Sequence, residues 1–527
     1  MSERKQNFLQ GTLLLAMSTA IVKVIGAFYS IPLNAIIGPE GFSYYSTAYE
    51  IYTVLLMIST AGLPVAMSRM VSAASSLGNY RQVRRIYTVS KAIFLTLGLI
   101  GAGLMTVFCR QLAAFQEQPD AWAAIAALGP SCFLICLMST YRGFFQGQSN
   151  MMPTSVSQVL EALTKLVVGI SAALLMLWYT KSFALAAGGA IFGVTMSCLV
   201  SSLYLNRCFR RAYKDLPQSM DTPESGRDIA KGLLAIAIPI TLGSAGLQIL
   251  TVLETKIYMS QLLVQLTQDQ ADLQKGIYNF TQKIFNMPCA FITPITVSVI
   301  PALTAQITAG RHAEAKATEE SAIRVMALIS MPCAFGLAVL AEPVTALLGG
   351  YTGDRLELAT RLMTVLGFSI MFNAIVLVTT SIMQAHGHVN RPVVNMLIGG
   401  FVKLFVVFVL TGNPHIGILG TPIGTLLCYL CICLLNIASI RRLFPQPPAI
   451  LKNLVRPFLS AAIMGAVTYG AWLGLKQVFS SRLILRGAPI LVGVVVYAVL
   501  VIRLKAITRA DCLLLPKGEK IANLLHL

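Results

Sequence analysis

The sequence predicts an all-α integral membrane protein with about 14 transmembrane helices. They are expected as two six-helix lobes in parallel repeat around a central cleft, plus two C-terminal helices. Three observations predict this. The 527 residues are 56% hydrophobic and only 12% charged, with a mean hydropathy of +0.73, which leaves too little polar surface for a soluble fold of this length. Apolar runs of roughly 20 residues or more recur along the chain, each long enough for a hydrocarbon core about 30 Å thick. Backbone amides in lipid must bond within their own segment, and the alternating pattern of a membrane barrel is missing, so the spans are helices.

The spans fall near 9 to 34, 44 to 69, 91 to 112, 121 to 146, 153 to 178 and 182 to 206. The polar stretch 207–228, RCFRRAYKDLPQSMDTPESGRD, is expected to link the two halves. Eight more follow near 230 to 257, 277 to 305, 322 to 348, 357 to 384, 389 to 411, 417 to 440, 454 to 477 and 486 to 504. The domains are then an N-lobe, 1–206; a cytoplasmic linker, 207–228; a C-lobe, 229–440; and two extra spans with a cytoplasmic tail, 441–527. The opening MSERKQNF resembles a signal-peptide start, but its apolar run is too long and it is read as the first span.

Forty Lys and Arg against 21 Asp and Glu give a net charge of +19. Most of the basic residues lie in the even-numbered loops and the two termini, so the positive-inside rule expects a multi-pass protein of the cytoplasmic membrane with both termini in the cytoplasm. The charge is a topological signal and an attraction to anionic membrane lipid, with no nucleic-acid partner implied. A monomer is expected. Eleven cysteines are scattered through apolar segments, and Cys428, Cys431 and Cys433 read as packing residues. His386 and His388 read as a solvated loop pair, and no metal or cofactor is expected.

The two halves echo each other. Gln146, Pro153 and Lys165 around FFQGQSNMMPTSVSQVLEALTKL recur as Gln384, Pro392 and Lys403 around IMQAHGHVNRPVVNMLIGGFVKL, at offsets of 238, 239 and 238. Gly189 and Gly193 recur as Gly420 and Gly424 at an offset of 231, and Gly78 recurs as Gly310 at 232. A duplicated six-helix unit follows. An even number of spans gives both copies one orientation, the geometry of alternating access.

Function points to the in-span cations. Lys23, Lys165, Lys283 and Lys403 interrupt apolar runs, and a cation at such depth costs a few kcal/mol unless it faces a wet cavity or a partner. They are the candidate contacts for an anionic substrate. Lys23 lies too deep in its span for easy snorkelling. Lys165 follows Glu161 by four residues, so a structural pair on one helical face is the alternative to substrate contact. Lys403 has Gly399 and Gly400 upstream in place of an acid. Arg69 closes span two and is a candidate gate or a headgroup contact.

Several stretches resemble the multidrug/oligosaccharidyl-lipid/polysaccharide superfamily of exporters. They are VKVIGAFYSIPLNAIIGPEGFSYY, AGLPVAMSRMV, RGFFQGQSNMMPTSVSQVLE, NMPCAFITPITVSVIPALTAQITAGR, PCAFGLAVLAEPVTALL and LPKGEKIANLL. They are most similar to its stage V sporulation protein B and Gram-positive lipid II flippase group. The resemblance implies a flippase for an undecaprenyl-pyrophosphate-linked sugar precursor, peptidoglycan lipid II first and a teichoic-acid or capsular-polysaccharide unit as the alternative, driven by an ion gradient or the membrane potential. It places Lys23 and Lys283 at cavity cations, and Glu254 and Asn395 at positions that bind a coupling sodium ion in some members. Gly399 departs from that pattern where a second carboxylate would stand. The stretch AFYSIP departs too, with Tyr29 and Ser30 where relatives carry an arginine.

A cation-coupled multidrug exporter of the same fold is the lesser transport reading, because basic residues outnumber Glu50, Glu161 and Glu254 within the spans. No enzyme is expected: the longest outer loop, near 258 to 276, offers only Asp269 and Asp272, both read as solvated. Pro64, Pro153, Pro239, Pro288, Pro294, Pro301, Pro332 and Pro392 punctuate the spans or their ends, and those in spans two and eight are the expected bending points.

Overall fold

The computed structural model describes residues 8–478, 482–504 and 506–507, and every regular element among them is helical. The helices are α1 Phe8–Thr60, α2 Leu63–Ser76, α3 Tyr80–Val107, α4 Cys109–Phe115, α5 Trp122–Gly147, α6 Met152–Thr180, α7 Phe183–Lys214 and α8 Gly226–Leu263. There follow α9 Gln268–Thr308, α10 His312–Val339, α11 Ala341–Leu348, α12 Gly353–Ala385, α13 Asn390–Thr411, α14 Gly420–Leu443, α15 Ile450–Val478 and α16 Arg482–Arg503. The chain is an all-helical membrane protein. Among the described residues, eleven helical segments are long and apolar enough to cross a membrane. The expected count was higher for two reasons. Met17–Ser76, 60 residues long, is one segment that contains two of the expected spans, and α9 and the shorter apolar stretch Gly487–Arg503 of α16 stand outside the eleven.

Local chemistry sets the breaks. Gly38 takes φ +68° inside α1, a conformation open to glycine at no steric cost, and Pro39 follows it. Pro64 opens α2 in its first turn after the interruption at Gly62, so span two bends where a proline can start a helix but not continue one. Pro153 does the same for α6. Ser182 and Ser225 cap α7 and α8 by accepting from the backbone N–H of Leu185 and Asp228, satisfying donors that a helix start leaves unpaired.

The chain divides into two compact units, Met1–Asn279 and Phe280–Leu527. In unit 1, α5 packs on α3 and α7, and α6 packs on α1 and α7. In unit 2, α12 packs on α10 and α14, and α13 packs on α14. The same helix pairs therefore recur. Gly78 and Gly310 take φ of +74° and +72°, closing equivalent helices with the same left-handed turn. A Cβ on Gly193 would lie 2.3 Å from the Cα of Gly169, and one on Gly424 would lie 2.7 Å from Val407. Val407 stands 238 residues after Gly169, so both repeats use the same helix faces for close approach.

The division by contact falls within α9, about fifty residues beyond the sequence-expected linker, because α8 packs on α1, α2 and α3. The stretch 207–228 is helical at both ends, leaving 215–225 irregular. That segment is docked. The backbone N–H groups of Arg81 and Gln82 donate to Asp221 at 3.1 and 2.8 Å, and Arg84 donates to the Leu216 carbonyl at 3.1 Å. Asp221 thus caps the start of α3 from a distant part of the chain.

Candidate functional site

Unit 1 encloses a cavity of about 480 Å³. Its wall is made by successive helices: Val22, Ile25, Gly26 and Tyr29 from the first half of α1, Tyr49 from the second, Ser139, Arg142 and Gln146 from α5, and Gln158, Glu161 and Lys165 from α6. Positions 22, 25, 26 and 29 share a helical face, which is how one apolar span lines a polar hollow. Hydroxyl and amide groups alternate with aliphatic surface, a lining suited to an amphiphile.

Lys165 is half-buried and held by tyrosines. Its Nζ donates to the Tyr49 hydroxyl at 2.7 Å and lies 4.9, 5.9 and 4.6 Å from the ring centres of Tyr29, Tyr45 and Tyr49. Aromatic faces attract an ammonium with about 0.5–2 kcal/mol each, more as water is removed. The tyrosine at 29, where the resemblance leads one to expect an arginine, therefore stabilises a cation without adding one. Glu161 takes a different basic partner, Arg142 of α5, at 2.9 Å, and Arg142 also donates to Ser157 at 3.1 Å. Two cations and one carboxylate face the same hollow. Arg142 was not singled out from the sequence, although its place inside the apolar span 121 to 146 is the same signal that marked the lysines.

The other expected residues are dispersed. Lys23 and Arg69 are exposed on α1 and α2, and neither is among the residues that line the cavity, to which Val22 and Val65 of the same helices contribute. Lys283 is exposed on α9 and Lys403 half-buried on α13, both in unit 2. Glu254 is 4% exposed on α8 of unit 1. Asn395 is buried in unit 2, where its amide donates to Asn436 at 2.8 Å and Ser439 at 3.4 Å. Asn436 in turn donates to Thr379 and Thr380. At the repeat offset of 238, Thr380, Asn395 and Gly399 correspond to Arg142, Ser157 and Glu161. A Cβ on Gly399 would meet Ile432 at 2.3 Å, so no carboxylate fits where some relatives carry one.

A second polar centre lies where α1, the segment 116–118 and the start of α9 meet, all in unit 1. Asp272, read from the sequence as a solvated loop acid, is 1% exposed. It accepts from Tyr44 at 3.2 Å, Gln118 at 2.6 Å and Gln268 at 3.1 Å. Lys275 is fully buried and donates to Thr47 and Gln118. The loop expectation failed because α9 begins at Gln268 and folds these polar residues inward. Gly276 permits it: a Cβ there would lie 1.7 Å from the Pro39 carbonyl oxygen. Asp269 is exposed, as expected. Glu117, at φ +55°, pairs with Lys256 at 2.7 Å beside this centre.

His386 is likewise no solvated loop residue. Its Nε2 lies 2.6 Å from the buried Glu319 carboxylate and its ring stacks at 3.8 Å on Phe444. Among the described residues no group of His, Cys, Asp and Glu could hold a metal ion.

Residues 8–307 match the family model described as polysaccharide biosynthesis protein, and residues 273–409 match the MatE model. Stage V sporulation protein B of Bacillus subtilis strain 168 is 25% identical over 89% of this chain and 91% of its own length. Lipid II flippase MurJ of the same organism is 24% identical over 88% of each. A solved structure of lipid II flippase MurJ in an inward closed conformation superposes with a TM-score of 0.69 at 13% identity, covering 93% of this chain and 98% of that one. The matched family is one of transporters, not of enzymes. With its recurring helix pairs, its polar cavity among apolar spans and more than half its length matched, the chain belongs to the polysaccharide biosynthesis protein family of MOP-superfamily transporters.

Proposed function

We propose that the chain is a flippase that moves an undecaprenyl-pyrophosphate-linked sugar precursor, peptidoglycan lipid II, across the cytoplasmic membrane by alternating access, with both termini in the cytoplasm. The observation that carries the reading is the unit 1 cavity, in which Arg142 and Lys165 outnumber Glu161. A diphosphate forms short, charge-assisted hydrogen bonds with guanidinium and ammonium groups. Glu161 holds Arg142 in place until such an anion competes for it, while the tyrosines keep Lys165 aimed. The hydroxyls and amides of Thr19, Ser139, Gln146 and Gln158 suit sugar groups, and the prenyl tail stays in lipid. Lys23, Lys283, Lys403 and Arg69 are proposed as further cationic contacts along the path.

The test follows leaflet exchange of labelled lipid II in vesicles reconstituted with the purified protein. Exchange above protein-free vesicles, reduced at least tenfold by Lys165→Ala at equal incorporation, supports the reading. Movement of teichoic-acid or capsule-type lipids with no lipid II exchange overturns the substrate, and wild-type exchange by Lys165→Ala overturns the site.

A further inference from the structure

Unit 1 holds a second, larger cavity of about 640 Å³ where α3 begins and α7 ends, and the transport reading leaves it without a role. We propose that it binds the saccharide portion of a lipid-linked precursor before the lipid enters the cavity around Lys165. The saccharide site stands on its own observations, whereas its place in transport rests on the flippase reading above.

The turn between α5 and α6 contributes to both hollows. Gln146 and Thr154 line the Lys165 cavity, whereas Phe145, Gln148, Ser149 and Pro153 line the second one, so the two adjoin across a few residues of chain. Leu216 and Pro217 of the docked segment supply another part of the wall, fastened through the Leu216 carbonyl to Arg84. The volume is that of an ordinary small-ligand site, about 300–1,000 Å³.

The lining has the chemistry that a sugar requires. Tyr80, Phe145 and Tyr204 offer aromatic surface to the apolar face of a pyranose ring. Gln148 and Asn150 bring planar amides that donate and accept for hydroxyl groups. The Asn150 Oδ1 already accepts from the Met152 backbone N–H at 3.3 Å, which leaves its NH2 group as a donor. Among the described residues, the side chains of Tyr80, Gln148, Arg211 and Asp215 make no hydrogen bond or ion pair, and the buried Ser75 Oγ has no partner. Arg211 and Asp215 balance in charge. A diphosphate would meet one cation beside one carboxylate, whereas a neutral polyhydroxylated group can donate to Asp215 and accept from Arg211 at once. Exposed Arg81, Arg85, Arg207 and Arg210 at the same helix ends set the cavity at headgroup level, which favours a sugar carried on a lipid.

The matching corner of unit 2 shows that the fold alone does not open such a space. At offsets of 232, 238 and 231, Tyr80, Gln148 and Tyr213 correspond to His312, His386 and Phe444. There the His386 ring stacks on Phe444 at 3.8 Å, and the hollow is only about 160 Å³. In unit 1, Tyr213 packs instead on Phe209 at 5.1 Å and under the Arg84 guanidinium at 5.3 Å, and Gln148 stays on the cavity wall. One repeat fills the corner and the other keeps it open.

Cys208 lines the cavity and is partly accessible, so its alkylation by N-ethylmaleimide reports occupancy. The rate is read by mass spectrometry on the purified full-length protein, in a detergent without a sugar headgroup. A water-soluble, short-chain lipid II analogue should slow alkylation of Cys208 several-fold and leave that of Cys109 unchanged, and the same short-chain pyrophosphate without its sugar should slow neither. Gln148→Ala combined with Arg211→Ala should abolish the protection at unchanged elution on size exclusion, and Lys165→Ala should retain it. No protection by the analogue, equal protection by the sugarless pyrophosphate, or undiminished protection in the double variant overturns the site. Loss of protection in Lys165→Ala assigns the effect to the other cavity and overturns it equally. Equal protection by soluble chitobiose identifies a free sugar as the ligand and overturns the role in loading. Protection by the analogue with no lipid II exchange in vesicles upholds the saccharide site and rejects the flippase reading.

Discussion

Unit 1 and unit 2 place helices of equivalent sequence in equivalent pairs, yet fill one matching face with opposite chemistry. In unit 1 the α5 and α6 face carries Arg142, Ser157 and Glu161 around an open cavity. In unit 2 the corresponding Thr380, Asn395 and Gly399 are drawn into an amide and hydroxyl network, with Ile432 filling the space beside the glycine. The lesson is that duplication preserves the features that fix packing, while polarity at the same positions is free to diverge. A neutral network joined by short hydrogen bonds closes a helix seam, whereas charges kept beside a hollow hold it wet.

The largest expected effect comes from writing unit 2 into unit 1. Arg142→Thr combined with Glu161→Gly removes the ion pair and one of the two cavity cations without leaving either partner charge unmatched. Lipid exchange in vesicles should fall to the protein-free background, at unchanged expression and elution on size exclusion. Exchange at the wild-type rate would break the comparison, since the two faces would then be functionally interchangeable.

Much of this was legible in the sequence. The apolar runs gave the helices, and the glycine pairs Gly78/Gly310 and Gly193/Gly424 marked equivalent turns and contacts, because a positive φ or a close backbone approach leaves few residues that fit. Lys165 was visible as a cation in an apolar run. Its tyrosine cage was not, since Tyr29 and Tyr49 lie more than a hundred residues away and read as ordinary span aromatics. Asp272 is buried against expectation, and Lys275 beside it carried no sequence signal, because polarity in a connecting stretch implies solvent only if the stretch is a loop, and here it is the first turns of α9. Glu161 showed the limit of spacing rules: the acid-first i, i+4 pattern with Lys165 is favourable in an isolated helix, but Arg142 of a neighbouring helix is its ion-pair partner in the fold.

A smaller effect sharpens the comparison of packing. Gly193→Ala drives a Cβ onto backbone at Gly169, 2.3 Å away, whereas Gly424→Ala meets a Val407 methyl at 2.7 Å. Backbone cannot rotate aside and a valine side chain can shift. Gly193→Ala should therefore lower the thermal midpoint by the equivalent of about 1–3 kcal/mol of overpacking, and Gly424→Ala by clearly less. Equal shifts in a thermal melt of the two purified variants would show that the equivalent seams are packed alike.

The smallest effect concerns how each repeat starts its third helix. In unit 2 the first turn of α10 carries its own exposed pair, Arg311 to Glu314 at 3.1 Å. In unit 1 the start of α3 is instead capped by Asp221 of the segment 215–225. Desolvation at that contact pushes the Asp221 carboxyl up, but hydrogen bonds from the Ser219 hydroxyl and from the Gln82 and Arg81 backbone N–H groups outweigh it and hold it below the ordinary aspartate value of 3.8. A lowered folded-state value means the cap is fully in force above the ordinary value and is lost as pH falls through the lower folded one. Hydrogen exchange, corrected for intrinsic rates, should thus show residues 216–224 and the first turn of α3 protected at neutral pH and exposed only below the ordinary aspartate range. Asp221→Asn should lose part of that protection already at neutral pH and leave the global melting midpoint unchanged. Protection that is indifferent to both acid and the substitution would mean that the Arg84 contact to Leu216, and not the carboxylate, fastens the segment.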